Sequence, residues 1–124
     1  MLDYIENDFA SYRFTDGIVY MRYHIGISIN LDAAIMIVED RLRIHAGQCL
    51  LVICDIRGVK EINKPARDYL AKEGSVLIKA AAFIVEKPVS ELLSRFYMLA
   101  SKPPIPTEAF QSIEEAKFFL EKYI

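Results

Sequence analysis

Two kinds of hydrophobic pattern divide this chain. From Phe9 to His24 apolar and polar residues alternate with a period of two. From Asn30 onward helical spacings and unbroken apolar runs take turns. Asp16-Gly17, in the middle of the first stretch, is a strong hairpin signal, a two-residue loop suited to a type I′ turn. It predicts Phe14 opposite Val19, Tyr12 opposite Met21 and Ala10 opposite Tyr23 on one face. The other face receives Arg13 with Tyr20, Ser11 with Arg22 and Phe9 with His24. One face is apolar and the other mostly polar. A slip of one residue would invert every side chain, so the pattern specifies the register.

Asn30 is expected to cap a helix over 31–45, with Leu31, Ala34, Ile35, Val38 and Leu42 at helical spacing. Asp32 near its start and Arg41 and Arg43 near its end suit the helix dipole, and Gly47 stops it. Residues 50–53, with Ile56 just beyond, form a near-continuous apolar strand of the kind buried on both faces in mid-sheet. Asn63 caps a second helix. Pro65 falls in its first turn, where a missing amide hydrogen costs nothing. Ala66, Tyr69 and Leu70 point that helix inward until Gly74. Residues 80–85 are a second buried strand. Pro88 opens a third helix with Val89, Leu92, Leu93, Phe96 and Ala100 on one face. Lys102-Pro103-Pro104 ends it. Residues 105–110 include a short edge strand, because Pro106 cannot donate to a sheet ladder. Ser112-Ile-Glu-Glu115 is a capping box for a last helix that buries Ile113, Ala116, Phe119, Leu120 and Tyr123. The order ββαβαβαβα predicts an α/β fold: a mixed sheet of about five strands with about four helices, in one domain over 1–124.

With 124 residues, 53% of them apolar and 26% charged, the composition suits a domain whose core needs no metal or disulfide. The net charge of −2 lacks the basic excess of a nucleic-acid binder. No apolar run approaches the roughly 18 residues that span a bilayer. The start, MLDYIENDF, lacks the basic-then-apolar form of a signal peptide, so a cytoplasmic location is expected. Cys49 and Cys54, five apart in one predicted strand, point to opposite faces and lack metal-ligand spacing. Both read as buried thiols acting as small hydrophobes. His24 and His45 read as surface residues, the second near a helix C-terminus. No cofactor and no metal are implied.

Asp55, Arg57, Lys60, Asn63, Lys64 and Arg67 gather where the first buried strand gives way, through a short basic loop, to the second helix. In α/β sheets ligands and partners dock at such strand ends. Asp55-Ile-Arg-Gly58 has the DxxG form of nucleotide-hydrolysing switches, but the chain has no GxxxxGK[ST] loop to cradle phosphates. Asp55 is better read as an acceptor for loop amides. The basic residues suit an acidic partner, or a small anion at the helix N-terminus, with Pro65 removing one donor; a solvated face is the plainer alternative. Phe96, Tyr97, Met98 and Leu99 make the third helix apolar all round, which implies burial on more than one side. Alternatively Phe96, Tyr97 or Met98 meets a dimer partner or a lipid-like ligand. No base, nucleophile and orienting group stand together at suggestive spacing, so an enzyme is the third choice.

The element order and the segment from Cys49 to Lys72 resemble the STAS domain, the fold of anti-sigma-factor antagonists such as SpoIIAA. Its pattern is an apolar strand ending in Asp, a small loop, then Asp-Ser-Ser-Gly opening a helix. Here the strand is Leu51-Val-Ile-Cys54, the acid is Asp55, Gly58-Val59 sits in the loop, and Asn63-Lys64-Pro65-Ala66 takes the place of Asp-Ser-Ser-Gly. The ending from Phe110 to Tyr123 is similar to the tail of bacterial SpoIIAA-like proteins. The regulated serine of the antagonists falls on Pro65, and no Ser or Thr lies between Arg57 and Leu70. A serine phospho-switch, which would add a charge of about −2 at the helix start, is therefore not expected. The resemblance implies a non-catalytic regulatory or scaffolding module. It would bind a protein partner through the 57–67 junction, as a homodimer in the cytoplasm. The alternative is a carrier of a small molecule or lipid, with an apolar pocket under the third and fourth helices.

Overall fold

The hairpin forms in the predicted register. In the computed structural model, which describes residues 2–124, β2 (Ala10–Thr15) and β3 (Ile18–Tyr23) pair Ala10 with Tyr23, Tyr12 with Met21 and Phe14 with Val19. Asp16 and Gly17 take φ of 52° and 78°, the two positive values a type I′ turn requires. β1 (Tyr4–Glu6) adds an antiparallel outer strand that the sequence pattern did not suggest.

β3 then pairs in parallel with β5 (Leu50–Asp55), β5 with β7 (Ile78–Ile84), and β7 with β8 (Thr107–Phe110). The main sheet therefore has six strands in the order β1-β2-β3-β5-β7-β8, an α/β fold with the expected mixed sheet. β5 and β7 are central and read as continuous apolar runs because both of their faces are covered. Val52, Cys54 and Ala81 face α1 (Leu31–His45). Leu51, Ile53, Ala80, Ala82 and Ile84 face α4 (Ile113–Leu120), where Ala116, Phe119 and Leu120 close a second core. Strand β8 is an edge, as Pro106 predicted.

The basic loop expected after Asp55 contains a strand. β6 (Val59–Ile62) pairs in parallel with β4 (Ile27–Ile29) in a separate two-stranded sheet. The two strands continue β3 and β5 past a bend at Gly26 and Gly58, where the Gly26 amide donates to the Gly58 carbonyl at 2.7 Å. A Cβ on Gly58 would lie 2.5 Å from the His24 carbonyl oxygen, so only glycine allows the chains this close. Ile29 and Ile62 are in register. Each is followed by an asparagine that caps a helix: Asn30 for α1 and Asn63 for α2 (Lys64–Lys72). The small sheet thus starts both helices side by side.

Two helices differ in phase from the expected pattern. On α1 the buried face is Ala33, Ala34, Ile37, Val38, Arg41, Ile44 and His45, while Leu31 is exposed. The α3 helix (Val89–Ser101) turns small residues inward, Ser90 and Ser94 being buried. It is not packed on two sides. Val89, Leu92, Phe96 and Leu99 remain 67%, 58%, 49% and 77% exposed.

Candidate functional site

At the end of β5, Asp55 accepts the Arg57 amide at 3.1 Å and two guanidinium N–H groups of Arg57, Nε at 3.0 Å and Nη2 at 2.8 Å. Arg22 of β3 stands 3.6 Å away. Burial opposes charge on Asp55, yet the hydrogen bonds and charge of Arg57, with Arg22, overcome it and hold the carboxyl below its ordinary pKa. Arg57 rises in return, chiefly through the same hydrogen bond. Asp55 therefore organises its own loop, as the acceptor role predicted.

The remaining junction residues take no part in these contacts of Asp55. Lys60 is exposed on β6. Asn63 Oδ1 accepts the Ala66 amide at 3.1 Å, and the Asn63 carbonyl accepts the Arg67 amide at 3.0 Å. With Pro65 offering no amide hydrogen, the first turn of α2 has little left for an anion. Lys64 pairs with Asp68 across one turn at 2.7 Å. Arg67 donates to the Ile62 carbonyl at 2.9 Å and lays its guanidinium over the Phe96 ring, 4.6 Å from the centroid. That cation–π contact joins the junction to α3, two regions that are 29 positions apart in the chain.

The three residues singled out on α3 separate. Phe96 is on the outer face, half exposed under Arg67. Tyr97 turns in against Phe83, ring centroids 5.7 Å apart. Met98 faces a groove shared with Phe110 and Glu115. The outward Val89, Leu92, Phe96 and Leu99 are spaced 3, 4 and 3, the a/d seam of a helix that packs against another helix.

An apolar cavity of about 90 Å³ does exist, but its place differs from expectation. It lies between the sheet and α1, α2 and α3, bounded by Val52, Ala81, Leu70, Leu93 and Tyr97. Helix α4 packs on the opposite face of the sheet. Arg41, 3% exposed, forms part of the wall. Its Nη1 is 2.7 Å from His45 Nε2, and its Nη2 donates to the carbonyls of Gly74 at 2.8 Å and Val76 at 3.2 Å.

His45 is not a surface residue; it is wholly buried. Burial first, then the charge of Arg41, pushes its pKa down to about 4. The imidazole is neutral, donating from Nδ1 to the Gln48 carbonyl at 3.1 Å and accepting Arg41 at Nε2. The pair was legible in principle. Ala34 and Val38, extended in steps of three and four, reach Arg41 and His45 as readily as Leu42, and only charge argued for placing them outside. Of the two thiols, Cys54 is buried and raised to about 12 by burial, whereas Cys49 is exposed, lying just before β5. His24 is at the surface, 3.1 Å from Glu6. Among the described residues no cluster of three or more His, Cys, Asp or Glu could hold a metal ion. No helix among them is long and apolar enough to cross a membrane.

Residues 12–124 match the family DUF7793, described as a domain of unknown function. The chain belongs to the DUF7793 family. Among curated proteins none matches. Among solved structures this DUF7793 chain is similar to an uncharacterized protein of the DUF3478 family, with a SpoIIAA-like fold, from Shewanella loihica PV-4. The identity is 12% and the TM-score 0.65, over 90% of this chain and 91% of that one. At that identity the likeness is one of fold, and the SpoIIAA-like fold is what the two share.

Proposed function

We propose that this chain is a non-catalytic protein-binding module whose contact surface is the α2–α3 face. Lys60, Asn63, Lys64 and Arg67 supply its polar side, and Phe96, Leu92 and Leu99 its apolar side. Asp55 and Arg57 hold the loop that leads into it. The observation that carries this reading is the stacking of Arg67 on Phe96. It makes one continuous surface of a basic patch and an exposed apolar seam. Arginine and aromatic residues dominate the energy of protein interfaces, and a seam at a/d spacing fits a helix.

Charge favours an acidic amphipathic helix as the partner. Residues 64–72 and 87–102 carry six basic and two acidic side chains, on a chain whose net charge is −2. In an antiparallel pair of two copies, Arg95 and Lys102 beside the seam would face each other, a repulsion that disfavours self-association. No serine switch operates at the start of α2 on this reading, since Pro65 carries no hydroxyl. A lipid carrier is the weaker reading, because 90 Å³ falls well short of the roughly 300–1,000 Å³ of common ligand pockets.

The test uses protein captured from cell lysate, identified, remade in pure form and titrated against the wild type and variants. Arg67→Glu and Leu92→Glu are each expected to weaken binding at least tenfold. Equal affinity for all three would place the contact elsewhere. Sedimentation showing a dimer that Leu92→Glu dissociates would make the seam a homodimer contact.

A further inference from the structure

Arg41 is a buried cation without a buried anion. Among the described residues no carboxylate lies within ion-pair distance of it, and its observed partners are a neutral imidazole and two backbone carbonyls. Those contacts use three of the five N–H bonds of a guanidinium. A buried charge held only by neutral acceptors is an expensive arrangement. Here it borders a cavity whose other walls are mainly apolar: Ile37, Val52, Ala81 and Leu93 among them. The hydroxyl-bearing residues on that wall are Tyr23, Tyr97, Ser94, Ser75 and Thr107.

We propose that this cavity is a binding site for a short-chain carboxylate. The carboxylate accepts a hydrogen bond from Arg41, and the hydrocarbon tail fills the apolar space. The chemistry follows from the walls. An anion supplies the missing counter-charge, accepting a charge-assisted hydrogen bond from the Arg41 Nε–H, which takes no part in the three contacts above. A doubly charged ligand would leave its second charge unpaired, since Arg41 is the one charged residue on the described wall. Size sets the tail length. A cavity of about 150 Å³ holds six-carbon benzene, so about 90 Å³ admits about four heavy atoms of tail and headgroup within the enclosed part. This site is separate from the α2–α3 surface and does not depend on that reading.

The probe is sodium acetate, whose four heavy atoms match that volume, with ethanol as the uncharged match, titrated into the full chain at pH 7. The Arg41 Nε–H and Ala81 methyl resonances are followed. Wild type is expected to bind acetate at least tenfold tighter than ethanol, with both resonances shifting. Arg41→Gln should reduce that preference to twofold or less. Ser94→Leu, which fills the cavity, should remove binding of both probes. The proposal is overturned if wild type binds acid and alcohol alike, if neither probe moves the resonances because water alone occupies the space, or if Ser94→Leu binds acetate as well as wild type does. Should Arg41→Gln fail to fold, the wild-type preference together with Ser94→Leu decides the matter.

Discussion

Nη1 of Arg41 stands 2.7 Å from Nε2 of His45, one turn further along α1. Two basic side chains tolerate this contact only while the imidazole is neutral and accepting. The folded pKa of about 4 lies below the ordinary 6.5, so the unfolded chain takes up this proton first as pH falls. The stability that depends on neutral His45 is fully present above about pH 6.5. It is lost progressively as pH falls toward 4, by about 3 kcal/mol in all. Urea unfolding between pH 7.5 and 4 should show that slope in wild type, and His45→Gln should flatten it. Parallel profiles for the two proteins would contradict the assignment.

Gly58 carries the bend that links the two sheets. A methyl group there meets the backbone of His24 and Tyr23 at 2.5–2.8 Å, and backbone cannot rotate aside. Gly58→Ala should cost about 2 kcal/mol or more. Gly17→Ala meets nothing within 4 Å but keeps a φ of +78°, and should cost only about 1 kcal/mol. Chemical denaturation of both variants ranks them, and the opposite order would refute the close approach.

Asn30 and Asn63 make the same capping bond, 2.9 Å to the Ala33 amide and 3.1 Å to the Ala66 amide. Each substitution to alanine should destabilise by about 1 kcal/mol. Hydrogen exchange should locate the loss in the first turn of α1 for one variant and of α2 for the other.

The thiols should react at very different rates. Cys49 is exposed, while Cys54 is buried and raised to about 12. A thiol reagent at pH 8 should modify one group per folded chain quickly, and Cys49→Ser should abolish that phase. Fast labelling that survives Cys49→Ser would show that β5 opens readily.

The outward seam of α3 makes no demand on folding. Leu99→Glu, at a residue 77% exposed, should change stability by no more than about 0.5 kcal/mol, as measured by thermal unfolding. A larger loss would mean that the helix packs its apolar face inward.

Where local chemistry decides, the amino-acid sequence determined the outcome. The hairpin register followed from Asp16-Gly17 and alternation, the helix starts from Asn30 and Asn63, and the edge position of β8 from Pro106, because turn geometry, capping and a missing amide hydrogen act within a few residues. Tertiary structure decided what depends on neighbours distant in the chain. Strands of three or four residues, β1, β4 and β6, exist only because partner strands supply their hydrogen bonds, and no periodicity that short stands out. On α1 and α3 several apolar faces competed. Packing against the sheet chose the ones that bury Arg41 with His45 and bring serines inward. The meeting of Arg67 with Phe96, and the cavity beside Arg41, are products of that choice.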